Sequence, residues 1–277
     1  DIQDLDNRNL LIFVDDASKV SGLERDNIVI NGVTRNIRLT DAETGNNNFY
    51  CPQAFTAEEI SYTRSFEQQT QVGVSRGWEA IALPFDVQNI SHEVQGAIAP
   101  FGSNASNKHF WLRQLSSGGL TRTLQMEANV PYIISMPNSD EYSEGFNLNG
   151  RVTFSAQNVV VPVTEVKTLA LADSSIVMKP AMQRLDRSSE VWALNVGQVR
   201  GQYLEGSVFE RDYREVRPFE AYTRHLNAAS PAPQRFVPIA DWMAGGEATG
   251  IEEVRRQTAD GREGDHWYDL NGDRKSV

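Results

Sequence analysis

The chain has 277 residues, 40% of them hydrophobic, enough to enclose one large core or two modest ones, which excludes a chain that is disordered throughout. Its 37 acidic and 26 basic residues leave a formal charge of -11; such a surface repels polyanions and argues against generic nucleic-acid binding, which needs a basic footprint. A lone cysteine, Cys51, excludes an intramolecular disulfide, and no run approaches ~18 apolar residues, so no transmembrane segment is expected.

Short bursts of Val, Ile, Phe, Tyr and Thr between Gly, Asn, Ser and Pro predict mostly β structure. Leu10–Val14 reads as the first strand, stopped by Asp15-Asp16-Ala17-Ser18. Asn27–Val33 is a second strand entering an Asn-Gly turn, with Ile37–Thr40 as its hairpin partner. After a polar loop at Asp41–Asn48, Ala54–Phe66 alternates with Ile60, Tyr62, Arg64 and Phe66 on one face, as a long strand at a sheet edge. Gly77–Val87 is the stretch around which the chain is organised. It reads as a buried strand stopped by Pro84, with strict alternation placing Ile81, Leu83 and Phe85 on one face and Ala80, Ala82 and Pro84 on the other.

Further strands are expected at His109–Arg113, Leu120–Met126 and Pro131–Pro137. Gly150–Ala156 and Val159–Val161 read as neighbouring antiparallel strands joined through Gln157-Asn158. The pattern continues at Lys167–Leu171, Ser175–Met178, Glu190–Asn195, Gly206–Glu210, Phe219–Arg224 and Phe236–Ile239. In Phe219–Arg224, Phe219, Ala221 and Thr223 alternate against Glu220, Tyr222 and Arg224. The expected fold class is all-β, an antiparallel β-sandwich or two packed β modules, because half-buried sheets must cover their apolar faces. The expected division is an N-terminal β region over 1–76 that completes the sandwich or stands apart, a main sandwich over 77–240, and a linker and incomplete tail over 241–277. Residues 151–240 are an alternative second sandwich. The chain opens on Asp1 without an initiator methionine and is expected to be a piece of a longer precursor.

Phe55-Thr56-Ala57-Glu58 with Ile60–Phe66, Gly77-Trp78 with Ala82–Val87, Ala128–Ile134 and Arg217–Tyr222 together resemble a β-rich C-terminal module of secreted and surface proteins of gut and oral Bacteroidetes, often found with leucine-rich repeats. The resemblance spans about residues 25–240. From Gly250-Ile251 to Tyr268-Asp269-Leu270-Asn271-Gly272 the tail is similar to the sorting-type extension of the same proteins, here departing from the pattern at Asp273 and cut short at Val277. The resemblance implies a secreted or cell-surface location. It names no activity.

Candidate chemistry is sparse. Cys51, in Phe49-Tyr50-Cys51-Pro52, reads as a small core residue with no histidine nearby to activate it. His92, His109, His225 and His266 lack the short-range pairing of a zinc site. Asp269-Leu270-Asn271-Gly272-Asp273 has oxygen ligands at calcium-loop positions 1, 3 and 5, but Arg274 stands where glycine is wanted, and an ordinary turn is the simpler reading. No cofactor or metal is therefore expected. Glu79 with Asp86, or Glu210 with Asp212, would serve a glycosidase only across a cleft. Dinucleotide, Walker A and Gly-x-Ser-x-Gly signatures are missing. Trp111, Tyr142, Tyr203 and Tyr222 are the candidate ligand-binding residues, as an aromatic platform for sugar, against a competing reading as core or edge packing. The expected function is a non-enzymatic structural or adhesive module. Its partner would be a host or bacterial surface glycan or protein. A carbohydrate-binding accessory domain is the alternative, and a glycoside hydrolase a more distant one.

Overall fold

The computed structural model describes residues 6–23, 25–41, 46–71, 74–104, 108–140, 142, 147–196, 203–225 and 235–243, and the backbone of 267–268 and 274–275. The linker after Met243, His266 and the Asp269–Asp273 loop lie outside the described residues.

The described chain is all-β, its helical content limited to 3-10 turns at Ala17–Val20 and Ile239–Trp242. In chain order the strands are β1 (Ile12–Val14), β2 (Ile28–Ile30), β3 (Val33–Leu39), β4 (Phe55–Phe66), β5 (Glu79–Ile81), β6 (Asn89–His92), β7 (Gly96–Pro100), β8 (Lys108–Ser116), β9 (Gly119–Arg122) and β10 (Tyr132–Ser135). They continue as β11 (Gly150–Val161), β12 (Leu169–Ala170), β13 (Ile176–Ala181), β14 (Trp192–Leu194), β15 (Val208–Arg211), β16 (Glu220–His225) and β17 (Phe236–Pro238). A backbone ribbon pairs β18 (Trp267–Tyr268) with β19 (Arg274–Lys275).

The larger sheet runs β1-β2-β3-β4-β11-β6-β7-β8-β10-β5, with β9 on β8. The smaller runs β12-β13-β16-β14-β15-β17. The smaller sheet is antiparallel throughout, whereas β1–β2, β3–β4 and β7–β8 are parallel, so the larger sheet is mixed. The hairpin between β2 and β3 turns at Asn31-Gly32, both at positive φ, as a tight primed turn requires. Strand β4 is interior rather than an edge: β3 lies on one side and β11 on the other. The strands of residues 1–76 therefore share one hydrogen-bonded sheet with strands of the central region.

One pattern-based expectation changes at β11. Gln157-Asn158 is not a hairpin turn; β11 is one twelve-residue strand, and its register with β4 is the same on both sides of Asn158. The burial phase does slip there. Val152, Phe154 and Ala156 point inward, then Val159 and Val161. Strand β4 slips opposite it, from Phe55 and Ala57 to Ile60 and Tyr62 across exposed Glu58-Glu59. A matched slip on paired strands keeps both inner faces apolar without breaking the ladder.

Three apolar clusters show how the layers stack. The first joins Ile60, Tyr62, Val152 and Phe154 to Ile81, Phe110, Leu112 and Ile134. The two halves of the larger sheet therefore close on one core, the sheet passing from one half to the other at β7, which pairs with β6 and then with β8. The second joins Trp78, Ala80, Trp111, Leu115 and Ile133 to Met178, Trp192, Leu194 and Phe209 of the smaller sheet. Strands β5, β8 and β10 are thus buried on both faces. The third, with Ala181, Val191, Ala193, Val216 and Tyr222, lies on the opposite side of the smaller sheet.

The Gly77–Val87 stretch joins the first two layers. Its strand ends at Ile81, and Ile81, Ala82, Leu83 and Phe85 all enter the first cluster, while Trp78 and Ala80 enter the second. Strict alternation fails because the chain leaves extended pairing before Pro84. The edge of β5 is closed by loops of the smaller sheet: Gly77 N–H donates to Glu205 O at 3.0 Å, Trp78 N–H to Gly206 O at 3.0 Å, and Ala82 N–H to Phe219 O at 2.9 Å. Phe219 has φ 67°, a turn that separates it from Ala221: its ring enters the first cluster beside Tyr62 (5.2 Å) and Phe49 (6.1 Å), while Ala221 enters the second.

Candidate functional site

The four aromatic candidates do not form one exposed row. Trp111, on β8, is buried and packs against Phe101 (5.1 Å) and Tyr142 (6.4 Å), itself buried. Tyr222 is buried in the third cluster, across the smaller sheet from Ala221; burial pushes its hydroxyl pKa up. Tyr203 is half-buried against Phe236, with ring centroids 5.3 Å apart. Period-2 alternation separates one face of a strand from the other but does not say what covers each face: the smaller sheet covers the face of β8 that carries Trp111, and Val191, Ala193 and Val216 cover Tyr222 on the far side of the smaller sheet.

The carboxylate pairs also part company. Glu79 faces Arg64, whereas Asp86 accepts the Ala128 N–H at 2.8 Å. Glu210 is engaged by Arg235 at 3.0 Å, and Asp212 by Arg187 at 3.2 Å. Among the described residues no group of three His, Cys, Asp or Glu side chains converges as a metal site, and no helix is long and apolar enough to cross a membrane.

Cys51 is fully buried, and its Sγ donates to Gln53 O at 3.1 Å. Burial pushes the thiol up to about 11. At pH 8 the native thiol should therefore react with a disulfide reagent roughly a hundredfold or more slowly than a free cysteine, and at the ordinary rate in denaturant. Rapid labelling of the native protein would contradict this placement.

Two arrangements stand out once the layers are known. The first is an ionic cluster where the sheets meet. Arg64 Nη2 lies 2.8 Å from Glu79 Oε2 and 3.9 Å from Glu220 Oε1; its Nε lies 3.7 Å from Asp41 Oδ2, and its Nη1 donates to Ala80 O at 2.9 Å. Arg214 Nη1 bonds Glu220 Oε2 at 2.7 Å, and Arg217 N–H donates to the same oxygen at 3.0 Å. Tyr62 donates its hydroxyl to Asp41 at 2.8 Å; burial, then the Asp41 charge, keeps that phenol protonated well above its ordinary range. Burial pushes Glu220 up, but Arg214 and Arg64 outweigh it and hold the carboxyl below its usual value. The groups are turned on one another, across β4, β5 and β16.

The second is the outward face of β4, β11 and β6. Since Ile60, Tyr62 and Phe66 point inward, Ser61, Thr63 and Ser65 point outward. Thr153 and Ser155 do so on β11, and Asn89 and Ser91 on β6. The register places them in rows: Arg38–Ser61–Ser155–Asn89, then Thr63–Thr153–Ser91–Ala97. Neighbouring strands lie about 4.8 Å apart and alternate residues about 7 Å apart, so the result is a closely spaced polar grid of hydroxyls with one amide, Asn89. Thr63 and Thr153 hydroxyls bond each other at 2.9 Å. The two rows contain no carboxylate, in a chain of charge -11; Arg38 ends one, and Arg151, opposite Ser65, borders the other. The outward alternation of Ser61, Thr63 and Ser65 is legible in the sequence, but that β4 is interior, flanked by β11 and β6, is not.

A shallow concavity of about 500 Å³ lies beside β2 and β3, lined by Val20, Leu23, Arg25, Asp26, Asn36 and Glu58 among others. Asp26 there accepts from Asn36 at 3.3 Å and lies 3.9 Å from Arg38. No family model, curated protein or solved structure matches the chain.

Proposed function

We propose that the chain is a non-enzymatic structural or adhesive module of a secreted or surface-exposed protein of a gut or oral bacterium, and that it adheres through the outward face of β4, β11 and β6. The observation that carries this reading is the uncharged grid of Ser61, Thr63, Thr153, Ser155, Ser91 and Asn89. Hydroxyls both donate and accept, so such a grid meets a polar partner without stripping water from a charge. The inner ionisable groups support the same reading, since Arg64, Glu79 and Glu220 are committed to one another. The architecture we infer for the module is a β-sandwich, the smaller sheet stacking on β5, β8 and β10 through the second cluster.

A carbohydrate-binding accessory domain is the second reading, favoured by the same grid, because sugar hydroxyls match its alternating donors and acceptors. One experiment separates the two. Wild type and Ser155→Arg are applied to a glycan array and to a panel of matrix and bacterial surface proteins. Each neutral hydrogen bond contributes about 0.5–1.5 kcal/mol, so blocking several at once should lower binding by roughly tenfold or more. The substitution should change stability by about 0.5 kcal/mol or less, as for other surface sites. Signal on glycans alone favours the accessory domain, and signal on proteins the adhesive module. Binding that Ser155→Arg leaves intact, or no binding on either panel, defeats the assignment of this face. Fractionation of the source bacterium tests the location.

A further inference from the structure

We propose that the Arg64–Glu79–Glu220–Arg214 cluster is a proton-linked latch between the two sheets, in which Glu79 takes up a proton and thereby tightens their docking. The geometry sets the charge balance. Two guanidiniums, Arg64 and Arg214, face three carboxylates, Asp41, Glu79 and Glu220, so the ionised cluster is one negative charge in excess. Placed where water is scarce, an excess charge is destabilising, and one bound proton removes it.

That proton belongs on Glu79. Glu220 is held by Arg214 at 2.7 Å and by the Arg217 N–H at 3.0 Å, with Arg64 also in reach. Glu79 has one cation in contact, Arg64, which also lies near Asp41 and Glu220. The groups around Glu79 are Arg64 from β4, the backbone N–H groups of Glu67 and Gln68, and Glu220 from β16; Asp41, which accepts from Tyr62, lies 3.7 Å from the Nε of the same Arg64. Burial pushes the Glu79 carboxyl above its ordinary range, only partly opposed by Arg64. Glu220 stands on the other side of its ordinary value.

The signs give a two-part pH profile. A carboxyl raised in the folded state binds its proton there before the unfolded chain does, so stability rises as pH falls through the window from the folded to the ordinary Glu79 value. A lowered carboxyl acts oppositely, and the Glu220 contribution is lost only at more acid pH, between its ordinary and folded values. The latch therefore tightens on mild acidification and fails in strong acid.

The test is urea unfolding of the whole chain, wild type against Glu79→Gln, from pH 8 to pH 5. Within the window one linked proton changes the folding equilibrium up to tenfold per pH unit. Glu79→Gln, permanently neutral, should be the more stable protein at pH 8, and the two should converge as pH falls. A stability difference that does not vary with pH, or a Glu79→Gln protein weaker than wild type throughout, overturns the proposal. Carbon-13 titration of the glutamate carboxyls in wild type gives an independent readout, which does not require the variant to fold. A buried carboxyl titrating above the ordinary glutamate range is expected, and its absence overturns the latch as well.

Discussion

Gly206→Ala should break the seam between the sheets, with an expected loss of about 3–5 kcal/mol, at the upper end for a single methyl group. A Cβ there would lie 2.5 Å from Trp78 N and 2.6 Å from Trp78 O, and both are backbone atoms that cannot rotate away. The residue also sits at φ +60°, where a side chain adds about 1–2 kcal/mol of strain. Retreat is blocked from behind. Gly206 N–H donates to Asn195 O at 2.6 Å, and Asn195 Oδ1 accepts Ser207 and Val208 N–H at 3.0 Å each. Moving the turn would release the Gly206 O bond to Trp78, the residue that anchors the second cluster. Gly96→Ala is the control, because Gly96 has a similar φ of +72° but open space around its Cα; it should lose only about 1–2 kcal/mol. Urea denaturation of both variants decides the matter, and equal losses would refute the close approach.

Arg64→Met should cost about 3–5 kcal/mol, the range for breaking a buried ion pair by deleting one partner. The side chain keeps most of its apolar length but leaves Glu79, Glu220 and Asp41 without the cation they share, and the Ala80 carbonyl without its donor. Arg64→Lys should recover only part of the loss, since one ammonium cannot span the directions the planar fork covers. The double variant Arg64→Met, Glu79→Leu should be more stable than Arg64→Met alone, because the carboxylate left unpaired is removed too. Guanidinium melts of wild type, Arg64→Met, Glu79→Leu and the double variant form a cycle, with Arg64→Lys measured beside it; a coupling below about 0.5 kcal/mol would place the stabilising interactions of Arg64 elsewhere.

Much of the strand inventory was legible in the chain because period-2 alternation and turn chemistry are local. Leu10–Val14 gave β1, Asn31-Gly32 gave a tight hairpin, and Ala54–Phe66 gave β4 with Ile60, Tyr62 and Phe66 inward as read. The errors share a cause. An edge position for β4, a hairpin at Gln157-Asn158 and a single inner face for Phe219 with Ala221 all depended on which segment lies alongside, and pairing is nonlocal. Arg64 shows the limit well. Its face was legible, yet its partners come from residues 41, 79 and 220.

The candidate site divides along the same line. By itself the sequence determined an acidic all-β chain with one buried cysteine and a long strand that carries Ile60, Tyr62, Arg64 and Phe66 on one face. Tertiary structure decided that Trp111, Tyr142 and Tyr222 are core rather than platform: the smaller sheet covers the face of β8 that carries Trp111, with Tyr142 packed into the same cluster, and Val191, Ala193 and Val216 cover Tyr222 on the other side of the smaller sheet. It also decided that Ser61, Thr63, Thr153, Ser155, Ser91 and Asn89 share one surface, and that Gly77 and Gly206 meet back to back. Alternation states how each strand divides its own residues. The order of strands within a sheet, and which sheet lies on which, then decide whether a given face meets water, a ligand or another layer of protein.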